Sequence, residues 1–377
     1  MRRIFTFLSI FSVFVICKSN ENQNRLQQEE DYIIIESYKK PVDQWLKPII
    51  DDGVAWSEMA PIETDMDYYK NLEKPDVQLG MMLFFDPKLS ASNQISCSTC
   101  HHPEMGWTTH TRKAVGHDHL EGSRNTQSIL NVASKNTFFW DGRASSLEEQ
   151  ALGPIGAHNE MNMNIDLLPK KLQKIEKYRE LFNKAFHTKR IKSEHILKAL
   201  AAFQRTVKSQ ASRVDKFMQG DFKALTNQEI KGLHIFRTKG RCMNCHNGQY
   251  LTDEKFHNIG LTYYKRKYED LGRYNITKNP DDVGRFLTPS LRDLLNTRPW
   301  MHNGFFDDLT GIVNMYNSGM QVVNPTPEEK LKDPLHPVVD PLLKPLNLTS
   351  QEIKDLVAFL EALNGTKFKM PRPEIPR

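Results

Sequence analysis

Two pentapeptides limit what this chain can fold into more than anything else in it. Cys97-Ser98-Thr99-Cys100-His101 and Cys242-Met243-Asn244-Cys245-His246 repeat one spacing, C-x-x-C-H, 145 positions apart. C-x-x-C-H is the attachment signature of a c-type haem. The two thiols add across the haem vinyl groups as thioethers, and the adjacent imidazole becomes an axial ligand of the iron. With 5 Cys and 13 His in the chain, composition alone sets the pattern behind a given Cys about 4 times in ten thousand, before it is required twice. A zinc site split between the motifs would need both to converge, and would leave the shared offset of the histidines unexplained. The chain is therefore expected to bury two covalent haems, and this uses four of its five cysteines. The fifth, Cys17, sits near the N-terminus, so no structural disulfide is left to propose.

The first 19 residues read as an export signal. Arg2 and Arg3 precede a mostly apolar run, Ile4 to Ile16, that is too short to span a bilayer comfortably. Cleavage after Ser19 is one outcome. The other, which the reading prefers despite the bulk of Ile16, makes Cys17 the lipid-bearing cysteine of a bacterial lipoprotein. Either way the protein is expected to be exported, periplasmic or held to a membrane by a lipid anchor. Haem attachment outside the bacterial cytoplasm agrees with that. A net charge of +5 is too mild to argue for nucleic acid.

At 377 residues the chain should hold two domains and an extra arm. Residues 20–30 read as a polar, disordered tether and 31–75 as an ordered wrapping arm. Leu79 to Phe85 reads as a short buried helix, stopped at Asp86-Pro87. A loop carrying His102, His110, His117 and His119 follows the first motif. Ser145, with Glu148 three residues on, is expected to cap a helix. Leu167 to Leu181 and Glu194 to Met218 show helical spacing, with Ile196, Leu200, Phe203 and Val207 as a core stripe. Two capping boxes, Thr226/Glu229 and Thr349/Glu352, open amphipathic helices on either side of the second motif. No run alternates as strands do. The expected fold is all-α: two cytochrome c-like domains, 76–221 and 222–366, each with one covalent haem c and long loops. An extended tail, 367–377, follows.

Between and around the two motifs stand further signatures. They are Leu83-Phe84-Phe85-Asp86-Pro87-Lys88-Leu89-Ser90, Gly116-His117, Arg124-Asn125, Phe139-Trp140-Asp141-Gly142-Arg143-Ala144, Glu160-Met161-Asn162, Cys242 to Gly248 and Met301-His302-Asn303-Gly304. In this order and spacing, from about Gln78 to Gly365, the chain resembles the bacterial di-haem cytochrome c peroxidases. That family also holds the MauG-type enzymes, which mature methylamine dehydrogenase. The resemblance implies that the first haem, with His101 as proximal ligand, is peroxidatic and of low potential. The second, with His246, is of high potential and accepts electrons from a donor. It implies that His117 occupies the distal side of the first iron in the resting oxidised form and swings away when the other haem is reduced. By residue type alone His117 is one of several loop imidazoles, and His110 and His119 compete with it. Glu160 matches the distal acid/base, which would move a proton from one peroxide oxygen to the other so that water departs; alone it reads as a surface glutamate. Trp140 matches the tryptophan between the haems, a role compatible with being core. Asn125 with the carbonyls of Thr297 and Pro299 matches a calcium site, and loop oxygens suit that cation.

The chain departs from the peroxidase pattern opposite His246. Where peroxidases place Met, 14 residues after the position of His302, this chain has Tyr316, which is the MauG-like pattern. Met315 stands one residue before it, and a register slip would put that thioether on the iron instead. A phenolate favours ferric iron, whereas a thioether raises the potential. His117, in contrast, is a peroxidase trait. The expected function is reduction of hydrogen peroxide to water with electrons from a small donor such as a cytochrome c or cupredoxin, and the resemblance admits a homodimer. The alternatives are a MauG-type oxidase that stores oxidising equivalents on both haems and passes them to a protein or organic substrate, and a non-enzymatic electron carrier with both irons six-coordinate.

Overall fold

Two crossings of helix on helix, built alike, carry the molecule. The computed structural model describes residues 25–62, 67–321, 324–365 and 370–376; the expected signal segment and Cys17 lie outside them. The site is built on helices α1 (Pro75–Phe85), α2 (Leu147–Gly156), α3 (Glu176–Phe186), α4 (Ser193–Gln204), α5 (Asn227–Arg237), α6 (Leu309–Asn317) and α7 (Ser350–Ala362). α1 crosses α4 so closely that a Cβ on Gly80 would lie 1.9 Å from the Ala199 carbonyl oxygen, and the Phe84 and Phe203 rings meet at 5.2 Å. α5 crosses α7 in the same way. A Cβ on Gly232 would lie 1.9 Å from the Asp355 carbonyl oxygen, and Phe236 and Phe359 meet at 5.1 Å. In both pairs the glycine stands four residues before one phenylalanine and faces a partner four residues before the other. Each crossing thus puts a glycine where the backbones touch and aromatic rings one turn on, an interlock that side chains of any other size would hold apart.

The expected caps on α5 and α7 form. Thr226 Oγ1 accepts from the Glu229 N–H at 3.3 Å and Thr349 Oγ1 from the Glu352 N–H at 3.2 Å. Each glutamate accepts the cap residue's own N–H in return, at 2.8 and 2.7 Å. Elsewhere the helix ends differ from expectation. α2 is capped by Ser146, which accepts from Glu149, while Ser145 donates to the Glu149 carboxylate. The stripe from Glu194 to Met218 is broken after Gln204 and resumes as a separate turn, Arg213–Met218, that its own capping box opens at Ser212. Residues 25–30, expected to be disordered, belong to a helix that runs through residue 38.

The buried apolar side chains form two clusters. The first gathers α1 to α4, from Val77 to Val207, and includes Met370 of the tail. The second gathers Val214 to Leu363 with Ile35, Tyr38, Trp45 and Met59 of the arm. Val214, Phe217 and Met218 pack in the second cluster, N-terminal to the expected boundary at 221/222. Arg237, fully buried in α5, fastens the arm by donating to the Glu58 carboxylate and to the Leu46 carbonyl oxygen at 2.8 Å. The fold is mostly helical. Among the described residues the only sheet is the two-residue pair β1 (Phe256–His257) and β2 (Phe286–Leu287). No helix there is long and apolar enough to cross a membrane.

Because each crossing brings a glycine against a backbone carbonyl that cannot rotate away, Gly80→Ala and Gly232→Ala should each cost about 3 kcal/mol, the upper range of core overpacking. Denaturant unfolding of the haem-loaded variants measures this. Gly156→Ala, where an added Cβ meets nothing within 4 Å, should unfold as the parent does.

Candidate active site

The first motif forms a single helical turn, Cys97–Cys100, whose N-terminus Ser96 caps. The turn delivers His101 to a cavity of about 1040 Å³, counting its open mouth, that is also lined by Cys100, Gly116, Phe139, Trp140 and Glu160. His101 Nδ1 donates to the Trp107 carbonyl oxygen at 3.0 Å. Burial pushes the His101 imidazole down to about 4 and the Cys97 thiol up to about 12. Glu160 carries no counter-ion at contact distance among the described ion pairs. Burial raises its carboxyl above the usual range, and the more distant positive charge of Arg143 only partly opposes this. Arg143 itself lies 3.5 Å over the Phe139 ring and donates to Asp141 at 2.9 Å.

The second motif repeats the arrangement. A short turn, Cys242–Asn244, delivers His246, whose Nδ1 donates to the Leu251 carbonyl oxygen at 3.1 Å. The larger cavity beside it, about 1990 Å³ with its mouth, is lined by Cys242, Cys245, His246 and Tyr316 and walled by Phe236, Leu356 and other apolar side chains. Burial raises the Tyr316 phenol, and the neighbouring Cys245 and Cys242 thiols raise it further. Met315, on the same helix α6, does not line the cavity, and neither does Met320.

The two cavities share a wall, made by Asn125 to Ser128, Lys135, Trp140 and Leu287. Trp140 is 8% exposed. Its indole N–H donates to the Asn125 carbonyl oxygen at 2.9 Å, and its own carbonyl oxygen accepts from the Leu287 N–H at 2.8 Å. Behind this wall Arg124 grips both halves. It donates to Asp270 through Nε at 2.6 Å and Nη2 at 2.8 Å, and to Asp141 through Nη1 at 2.6 Å.

Residues 74–223 match the family described as di-haem cytochrome c peroxidase. The chain is 38% identical over 303 residues to the methylamine utilization protein MauG of Methylorubrum extorquens, covering 80% of this chain and 81% of that one. The chain belongs to the di-haem cytochrome c peroxidase family. Over 297 residues it is 34% identical to the cytochrome c551 peroxidase of Nitrosomonas europaea, with 78% and 82% covered. Among solved structures, a MauG-like protein associated with microbial copper homeostasis superposes with a TM-score of 0.69 at 29% identity, covering 84% of this chain and 96% of that one.

The family implies haem c as cofactor, and the residues at both cavities fit it. A backbone carbonyl can only accept, so Nδ1 of His101 and of His246 carries the proton and Nε2 keeps its lone pair, the donor a haem iron takes. Two thiols precede each imidazole in its motif; the walls of the second cavity are largely apolar, and those of the first mix apolar side chains such as Phe138, Phe139 and Leu147 with polar ones. The structure also brings Asn125, Thr297 and Pro299 to the second cavity's lining. The Asn125 amide nitrogen is spent on the Arg112 carbonyl oxygen at 3.2 Å, which leaves the amide oxygen as the group able to face a cation. His117 does not line the first cavity. Its backbone N–H donates to the Glu160 carbonyl oxygen at 2.8 Å, while its imidazole, 17% exposed, lies within 3.4 Å of Asp118.

Two features escaped the reading of the sequence. Asp270 pairs with Arg124 across 146 positions, and nothing local to either marks the other. His257, held by Asp253 at 2.9 Å and Asp340 at 2.6 Å, is pushed up to about 12: burial disfavours its charge, but the two carboxylates more than offset that. The acid and histidine four residues apart were a faint signal for the first of those contacts.

Arg124→Ala would leave the partly buried Asp270 without its cation and Asp141 with Arg143 alone, and should cost about 3 kcal/mol or more of stability. Burial alone would raise the Asp270 carboxyl, but Arg124 holds it below the usual range. Its stabilisation is therefore complete above its unfolded value, near about pH 4, and is lost as pH falls through the lower folded value. Equilibrium unfolding from pH 7 to 2 should show that acid limb in the parent and a flatter one in Arg124→Ala.

Proposed function

We propose that this protein reduces hydrogen peroxide to water at the first site, drawing two electrons from a small exported redox donor, such as a cytochrome c or cupredoxin, by way of the second. The balance is one peroxide, two electrons and two protons to two waters. When bound, the haem of the first cavity supplies the iron at which peroxide is held and reduced. The protein's part is the proton traffic and the path.

The observation that carries the reading is Glu160 on the wall of the His101 cavity, with its carboxyl pushed upward by burial. A carboxyl with a raised pKa holds its proton nearer to neutral pH, which suits it to take a proton from one peroxide oxygen and hand it to the other. Departure as water instead of hydroxide removes the cost of building a charge in a low-dielectric pocket. Gly116 supports the placement: a Cβ there would lie 2.7 Å from the Glu160 Cα, so only glycine lets this loop close over the acid. Trp140, packed in the wall common to both cavities, supports its role as the bridge for electrons. With its N–H committed to a carbonyl it has one fixed orientation, which keeps the distance between donor and acceptor constant.

A second reading, a MauG-type oxidase that delivers oxidising equivalents to an organic or protein substrate, is favoured by one observation. Tyr316, not Met315, lines the cavity of His246. A phenol there is kept neutral by burial, so an iron that binds it must displace its proton. The bound phenolate would favour the oxidised state of the second haem.

Glu160→Gln should lower peroxide turnover about 10²-fold, the scale of a lost general acid/base, with both haems still attached; turnover within a few-fold of the parent would remove Glu160 from the reaction. Tyr316→Met should raise the second haem's reduction potential and shift its absorption spectrum. Should both stay as in the parent, Tyr316 is not a ligand. Fast oxidation of a reduced cytochrome c by peroxide supports the first reading. A long-lived, doubly oxidised protein that oxidises the cytochrome poorly supports the second.

A further inference from the structure

The loop that carries His117 presents a second constellation, on the outer rim of the first cavity, that the proposed chemistry does not use. His117 Nε2 lies 3.4 Å from Asp118 Oδ1, and His158 Nε2 lies 3.5 Å from Asp118 Oδ2. The two imidazole rings meet nearly edge to face, centroids 5.6 Å apart. One ligand atom from each of the three residues falls within 4.8 Å of the others. We propose that His117, Asp118 and His158 form a binding site for one late divalent transition-metal cation, with Zn(II) as the probe ion.

Backbone hydrogen bonds hold together the two segments that carry the site. Residues 115–121 close on themselves: Val115 bridges Glu121, Gly116 N–H donates to the Leu120 carbonyl oxygen at 2.9 Å, and Leu120 N–H donates to that of His117 at 3.1 Å. The segment carrying His158 is tied to this loop twice, by the His117 N–H on Glu160 and by Asn159 Nδ2 on the Glu121 carbonyl oxygen at 2.9 Å. Asp118 and His119 both take left-handed backbone, φ 54° and 57°, an uncommon conformation for such residues in succession. The strained turn is what places the carboxylate between the two imidazoles.

The donor set selects the ion. Two neutral imidazole nitrogens and one carboxylate oxygen suit zinc and copper(II), whereas calcium and magnesium want oxygen alone. Three protein ligands leave a position for water, and the exposed side chains of Asp118 and His158, 59% and 64%, give the ion an open approach. A cation there also keeps the His117 imidazole outside the cavity, since one Nε2 cannot serve two metals.

The test is calorimetric titration of the haem-loaded full chain with Zn(II) at pH 7.5, in parent, His158→Ala, Asp118→Asn and His119→Ala forms, all with the parent's haem spectrum. The expected result is one equivalent bound by the parent and by His119→Ala, and an affinity at least about 100-fold weaker in the other two, beyond what loss of an outer-shell partner causes. Absence of binding to the parent overturns the proposal. So does binding that survives both His158→Ala and Asp118→Asn, or that falls equally with His119→Ala, which would mark a loose histidine patch. None of these readouts depends on peroxide turnover, so the site and the proposed reaction stand or fall separately.

Discussion

Arg124 sits where the two halves meet, and its guanidinium is the contact on which the geometry of both cavities depends. Its fork faces Asp270 of the second half while its third nitrogen reaches Asp141 of the first. Asp141 directly follows Trp140, and Asn125, which accepts the indole N–H, directly follows Arg124. One cation therefore fixes both sides of the strap that forms the shared wall. Three largely buried charges held this way contribute little by themselves, because desolvation consumes most of their attraction. What they supply is position: the charges can be satisfied in only one arrangement of the two halves. A bridge for electrons needs that more than it needs stability.

The halves are copies in scaffold and opposites in content. Gly80 and Gly232 make the same crossing, with Phe84 on Phe203 answering Phe236 on Phe359. His101 and His246 are tied through the same nitrogen to a carbonyl five or six residues on. Beyond this frame they diverge. The first cavity has a carboxyl with a raised pKa and no side chain reaching in opposite the histidine from the His117 loop; the second has a phenol facing in from α6. The difference lies in loops and in one helix face, which is where a duplicated scaffold can change without disturbing its core.

Much of this was legible in the sequence, for reasons that differ by residue. The motifs and capping boxes are local patterns, so Cys97 to His101 and the caps at Thr226 and Thr349 could be read directly. The glycine–phenylalanine interlock was also written there, as G-x-x-x-F at Gly80 and again at Gly232, but was overlooked because each glycine reads as an ordinary helix weak point. Arg124–Asp270 and the Asp253–His257–Asp340 group could not be read at all, since their partners are far apart in the chain and of a common type. The placement of His117 beside Asp118 depends on two successive left-handed residues; Asp and His visit that region more often than most, but nothing local marks where two will do so in succession. Similarity to the family carried Glu160 and Trp140, and the cavities then gave those residues a physical setting.

The two ends of the chain cross over. The arm, through Tyr38, Trp45 and Met59, packs into the second cluster, while Met370 near the C-terminus packs into the first. During synthesis the arm emerges first and yet has no surface to dock on until α5 and the rest of the second half exist. Its aromatic side chains have no such surface until the residues from Val214 onward have been made. The first half, for its part, is not sealed until the last residues arrive. Neither core is complete without residues from the far end of the chain. That ordering favours a single cooperative assembly over two successive ones.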